Sequence, residues 1–177
     1  MPKTITTLAG FYLISMSYCP AFAQEETSSA AADAMTQKAE ATLELKLYRP
    51  ASECAKDGVA VGGYDLISYR DEGGPRFGSA KFTAEYGDNI YLFESAENRD
   101  RFLADPMQYL PSYGGWCAIS LALGGLTCPD YNIFKIENGE LLLFEVAAFT
   151  NGLALWNTDP PGYRKKADTN YDRFMQE

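Results

Sequence analysis

Asn138-Gly139 constrains this chain more than any other pair of residues. It stands between Ile133-Phe134-Lys135-Ile136 and Leu141-Leu142-Leu143-Phe144, with Glu137 and Glu140 on its flanks. Two short apolar runs joined by Asn-Gly read as a β-hairpin, because both turn residues accept the positive φ of a type I′ turn. A second hairpin is read upstream. Lys81 to Tyr86 alternates, Gly87-Asp88-Asn89 turns, and Ile90-Tyr91-Leu92-Phe93 returns. Strand signals also fall on Val59 to Tyr69, around Gly62-Gly63.

Short helices fill the intervals. Ser95 is placed to cap a helix from Ala96 to Ala104, which Asp105-Pro106 ends. Pro106 to Tyr109 reads as a helical turn, and a short helix follows Cys117 as far as Gly124-Gly125. Phe149 to Trp156 is apolar at helical spacing, and Tyr163 to Phe174 reads as a terminal helix. The residue pattern shows no internal repeat. The expected fold is a small single α+β domain with two β-hairpins and several short helices.

The organisation expected along the chain is a signal peptide at 1–23, a flexible leader at 24–46 and the folded domain at 47–177. Lys3 supplies a basic start, Thr4 to Tyr18 an apolar stretch, and Ala21-Phe22-Ala23 a small-residue cleavage site. The apolar stretch is short for a membrane span, so cleavage and export, to a periplasm, are expected, with no stable membrane insertion after processing. The chain carries a net charge of −9 without a basic stripe, which argues against nucleic acid as a partner.

The chain contains no histidine. Ser-His-Asp and Cys-His nucleophile systems are therefore unavailable within it, and so is the commonest nitrogen ligand for metals. No complete catalytic set is visible, and a non-enzymatic role is expected. Glu137 and Glu140 read as solvated turn residues. The tyrosines and Trp116 read as core in preference to a ligand cleft, and Asp65 as a turn residue in preference to a base.

The candidate site is Tyr113-Gly114-Gly115-Trp116-Cys117. It follows Pro111 and opens the apolar run from Ala118. Cys117 falls at the start of a short helix, where the N-terminal field favours a thiolate. Three cysteines remain beyond the leader: Cys54, Cys117 and Cys128. In an oxidising compartment two of them pair, as Cys117 with Cys128 or as Cys54 with Cys128. The alternative keeps Cys117 and Cys128 reduced as soft ligands for copper or another soft metal ion, with Met107 as a third donor. A further alternative makes Cys117 a small buried hydrophobe against Trp116 and Tyr113.

The order of motifs resembles the YHS domain family in its longer secreted bacterial branch. The resemblance rests on Gly63 to Tyr69, Phe82 to Tyr86, Ser95 to Phe102, and Asp105-Pro106 with Tyr109. It continues through Tyr113 to Ala118, Phe134-Lys135-Ile136 with Asn138-Gly139, Trp156 with Asp159-Pro160, and Lys166-Ala167-Asp168. It implies a small α+β domain and, in the wider family, heavy-metal handling. The short family members carry three cysteines at positions equated here with Ser68, Glu94 and Asn98. That soft ligand set is therefore not transferable to these positions. The function expected is that of an exported, non-enzymatic YHS-domain binding protein handling a heavy metal such as copper. The competing expectation is a structural or protein-interaction module with a disulfide, an unknown protein partner and no metal.

Overall fold

The computed structural model describes residues 52–147 and 150–176, all within one compact unit, Thr42–Glu177. The expected signal peptide, the whole of the expected leader and the first five residues of the expected domain, 47–51, lie outside the described residues. So does the start of the apolar run at Phe149. Among the described residues no helix is long and apolar enough to cross a membrane.

Both hairpins form. β1 (Ser79–Tyr86) pairs antiparallel with β2 (Asn89–Phe93), and β3 (Asp130–Glu137) with β4 (Glu140–Phe144). The turn residues Gly87 and Asp88 have φ of 53° and 60°, and Asn138 and Gly139 have φ of 55° and 85°. Both connections thus use the two positive-φ positions that match strand twist. A minimal third pair joins β5 (Val146–Ala147) to β6 (Thr150–Asn151). Among the described residues five helices complete an α+β fold: α1 (Ala96–Ala104), α2 (Pro106–Tyr109), α3 (Ala118–Ala122), α4 (Gly152–Trp156) and α5 (Pro160–Gln176). Ser95 caps α1 as expected, its side chain accepting from the Asn98 amide at 3.1 Å.

The strand reading of Val59 to Tyr69 is corrected. The segment forms 3₁₀ turns at Ala60–Gly63 and Ser68–Arg70, with only isolated bridges at Val59 and Tyr64. Val61, Gly62 and Gly63 all have positive φ, which no strand accommodates. Asp65 then closes a local turn by accepting from the Ile67 amide at 2.8 Å.

The reading that the chain has no internal repeat is also corrected, because the described residues contain one supersecondary unit twice. Ala60–Gly63 and Ser112–Gly115 are both 3₁₀ turns with a left-handed non-glycine residue, Val61 or Tyr113, before the glycine pair. The preceding residue bridges in parallel to the second hairpin strand, Val59 to Ile90 and Pro111 to Leu141. The Asp65 amide donates to Arg76 O at 2.8 Å, and the Cys117 amide to Thr127 O at 3.0 Å. Ser68 Oγ donates to Asp65 O at 2.6 Å, and Ser120 Oγ to Cys117 O at 2.8 Å.

The hairpins share one register irregularity. Ser79 pairs with Phe93 and the next pair is Thr83 with Leu92; Asp130 pairs with Phe144 and the next pair is Phe134 with Leu143. Each unit then places a buried aromatic, Phe102 or Trp156, against the phenylalanine ending its hairpin. The ring centroids lie 5.1 Å apart for Phe93–Phe102 and 5.6 Å for Phe144–Trp156. An aspartate capping a helix with proline at its start follows in both: Asp105-Pro106 and Asp159-Pro160.

The buried residues form two cores, and Leu141 and Leu143 of β4 pack into the first of them. One is centred on Leu66, Ile67, Tyr91, Phe93 and Phe102, the other on Cys117, Ile119, Leu121, Phe144 and Trp156. The principal asymmetry is the last helix, a single turn in the first unit (α2) and 17 residues in the second (α5).

Candidate functional site

The Tyr113-to-Cys117 stretch is buried throughout. Its backbone is set by Tyr113 and Gly114 at φ of 58° and 65° and Gly115 at φ of 92°. A left-handed tyrosine is uncommon and needs its side chain held. Tyr113 donates from its hydroxyl to Asp168 Oδ1 at 2.7 Å and packs edge-on against Tyr171, ring centroids 5.6 Å apart. Burial, with the Asp168 hydrogen bond behind it, raises the Tyr113 phenol well above its usual range. The motif is thus the seam between the second glycine turn and α5.

Cys117 is fully buried. It occupies the residue before α3, but its sulfur does not cap that helix. Sγ instead accepts from the Glu145 amide at 3.2 Å. The partner expected for it is committed elsewhere: Cys128 forms a disulfide with Cys54. The Cys117–Cys128 metal pair is therefore corrected, because one sulfur is covalently bound and the other is enclosed in the core. The Cys117–Cys128 disulfide is corrected with it. Met107, read as a third soft donor, lies on α2, 40% exposed. Among the described residues no three His, Cys, Asp or Glu side chains converge to hold a metal ion.

In the first unit the Cys117 position is held by Asp65, also fully buried. Its Oδ2 accepts from the Glu94 amide at 2.8 Å and from Asn98 Nδ2 at 2.7 Å. Glu94 and Glu145 correspond, each following the last residue of its hairpin. Asp65 and Cys117 therefore do the same work, accepting from the amide where the hairpin ends. Ser68, Glu94 and Asn98 meet around this aspartate. Ser68 and Asn98 are hydrogen-bonded to it, and the Glu94 carboxylate pairs with Arg76 at 2.9 Å.

An open cavity of about 580 Å³ adjoins the motif, between α2, Leu110 to Tyr113, the β3–β4 turn and Tyr171. Its walls are Met107, Leu110, Pro111, Tyr113 and Tyr171, and Gln108, Asn138 and Glu140 stand around them. Arg70 braces it from behind, donating from Nη2 to Gln108 O at 2.6 Å and Gly139 O at 3.1 Å.

Glu137 is not solvated as expected. Its side chain is 18% exposed and pairs with Lys135 at 2.6 Å and Arg164 at 3.2 Å. Burial opposes its ionisation, but the hydrogen bonds from Lys135 and Arg164 outweigh burial and hold its carboxyl below the usual range. Arg164 also binds Glu140 Oε2, which accepts from Ser112 Oγ at 3.3 Å.

Sequence reasoning found Tyr113 and Cys117 but missed the cavity. Its lining comes from 107–113, 138–140 and 171, and no local signal joins these segments. Compared with family models, with curated proteins and with solved structures, the chain matches none.

Proposed function

We propose that this chain is an exported, non-enzymatic binding module of the YHS type whose cysteines are structural. The observation carrying this reading is the state of the three sulfurs. Cys54 and Cys128 are joined, and Cys117 is a core thiol that accepts from a backbone amide. A buried acceptor facing an amide stabilises the fold by about 1 kcal/mol, and its removal strands the donor. The equivalence of Cys117 with Asp65, a residue with purely internal hydrogen bonds, supports the same reading. Binding is then assigned to the surface around the motif, where α2 and the β3–β4 turn leave an open space.

The test is free-thiol counting on the processed chain recovered from the exported fraction, in which cleavage after Ala23 removes Cys19, combined with titration by Cu(I) and Zn(II) while following the melting temperature. One thiol, reactive only after denaturation, and no metal-linked rise in melting temperature are expected. A stoichiometric soft-metal adduct that raises the melting temperature, and is lost in Cys117→Ser, overturns the reading in favour of metal handling.

A further inference from the structure

We propose that Asn138 is a site of spontaneous covalent modification: the fold directs deamidation to the β3–β4 turn and withholds it from the other sequence of the same kind. The chain has two Asn-Gly pairs, Asn138-Gly139 and Asn151-Gly152. A glycine after asparagine lets its backbone nitrogen approach the asparagine side-chain carbon, because no Cβ stands in the way. The two pairs are alike as sequence and differ as structure.

At the first pair the reacting groups are free. Asn138 and Gly139 are both exposed, at the tip of the hairpin beyond the Glu137–Glu140 pair. Neither the Asn138 side chain nor the Gly139 amide has a hydrogen-bond partner among the described residues. The Gly139 carbonyl is engaged, by Arg70 Nη2 at 3.1 Å, but it takes no part in the reaction. Ring closure requires the turn to leave its left-handed conformation, and a hairpin tip opens without disrupting either core.

At the second pair both reacting groups are engaged. Asn151 Oδ1 accepts from the Ala154 amide at 3.0 Å as the cap of α4. The Gly152 amide donates to Glu145 O at 3.0 Å. Gly152 is also buried, so close to α3 that a Cβ on it would lie 2.8 Å from Ile119 Cγ2. Cyclisation there must undo the cap, the amide bond and the packing together. The first unit offers no equivalent site. Its hairpin turns on Gly87-Asp88, and Asn89, which stands where Glu140 stands in the second unit, is buried with its amide on Gly87 O at 3.0 Å and is followed by Ile90.

The Gly139 nitrogen attacks Asn138 Cγ. A Cγ–N bond forms, the Cγ–Nδ2 bond breaks, and the amide proton of Gly139 leaves with Nδ2 as ammonia. Water then opens the five-membered imide. Attack at Cγ gives aspartate. Attack at the main-chain carbonyl of residue 138 leaves the chain running through the side chain, as isoaspartate. In both, one water hydrogen returns to the Gly139 nitrogen, the carboxyl proton dissociates, and no oxidation occurs. Aspartate keeps a pair suited to the type I′ turn, whereas isoaspartate adds a backbone carbon between two strands whose register the turn fixes. Either product places a second carboxylate beside Glu140, in the lining of the cavity next to the motif.

The experiment is incubation of the processed chain at mildly alkaline pH, native and in urea, with peptide mapping by mass spectrometry and enzymatic methylation to distinguish isoaspartate. In the native protein Asn138 is expected to convert at least about tenfold faster than Asn151, which must first break two hydrogen bonds that Asn138 does not have. In urea the two rates are expected to converge. Asn138→Gly, a pair that also suits the turn, is expected to abolish the native acidic product. Equal native rates, faster conversion at Asn151, or a native Asn138 that stays intact while the urea-unfolded chain converts, each overturns the proposal. A preference for Asn138 that persists unchanged in urea overturns it too, because the selectivity would then belong to the sequence and not to the fold.

Discussion

Breaking the Cys54–Cys128 bond tests how the two units are tied. The bond joins the arm entering the first unit to the loop entering β3 of the second, 74 residues away. Loop-closure entropy assigns a bridge of that span about 4.4 kcal/mol, against about 2.8 kcal/mol for the 11-residue loop that Cys117 and Cys128 would close. The arm adds few native interactions of its own. Cys54 packs at the edge of the second core, and Tyr131 donates to Cys54 O at 3.3 Å. Most of the loss should therefore be the entropy released to the unfolded chain. The assay is urea unfolding of the full chain, oxidised and as Cys54→Ser/Cys128→Ser, with Cys117→Ser as control. A loss of about 4 kcal/mol in the double variant, with the control retaining the bridge, is expected. A loss below about 1 kcal/mol, or a mapped bond between Cys117 and Cys128, refutes the reasoning.

Other expectations follow from the same contacts. Asp65→Ala strands three donors in the core and should cost about 3 kcal/mol or more, whereas Cys117→Ala strands one amide and should cost about 1–2 kcal/mol, both read from urea midpoints. Gly152→Ala would set a Cβ 2.8 Å from Ile119 Cγ2 and 2.9 Å from Glu145 O, and should cost about 1–3 kcal/mol in thermal unfolding. The Glu137 carboxyl is held low in the fold, so its contribution is complete above the unfolded carboxyl range near pH 4.5 and is lost as pH falls through the folded value; Glu137→Gln should flatten that part of a stability–pH curve. The Tyr113 phenol is held high, so the fold keeps a proton that the unfolded chain releases above about pH 10; stability should fall from there upward, and Tyr113→Phe should reduce the slope.

The hairpins were legible because their signals are local. Asn138-Gly139 and Gly87-Asp88 force positive φ between apolar runs, and no distant contact is needed to decide them. Ser95 was legible for the same reason, capping a helix through its own side chain, whereas Asp105 was read only as the end of that helix and its cap on the next one was missed. The strand reading of Val59 to Tyr69 failed because three consecutive left-handed residues override β-propensity, and two of those three are the permissive glycines. Glu137 read as solvated because its cations, Lys135 and Arg164, come from a neighbouring strand position and from α5. The disulfide could not be read from spacing, since the shorter loop was as plausible on paper as the 74-residue one.

The repeat was hidden for a more instructive reason. The two units conserve roles while changing the residues that fill them. Asp65 and Cys117 both receive the amide after the hairpin, one with a carboxylate and the other with a sulfur. Phe102 and Trp156 both close a core, and Val61 and Tyr113 both take the left-handed turn position. A search for repeated letters passes over such pairs; a comparison of hydrogen bonds and register finds them. The equivalence also changes how the cysteine in the Tyr-Gly-Gly-Trp-Cys motif is understood. A residue whose partner in the other unit is a fully satisfied buried aspartate is there to receive a proton donor from the backbone. The features with freedom to act are those that differ between the units. The long α5 supplies Tyr171 and Asp168, and Glu140 replaces a buried Asn89. Those differences converge on the cavity beside the motif, and not on its sulfur.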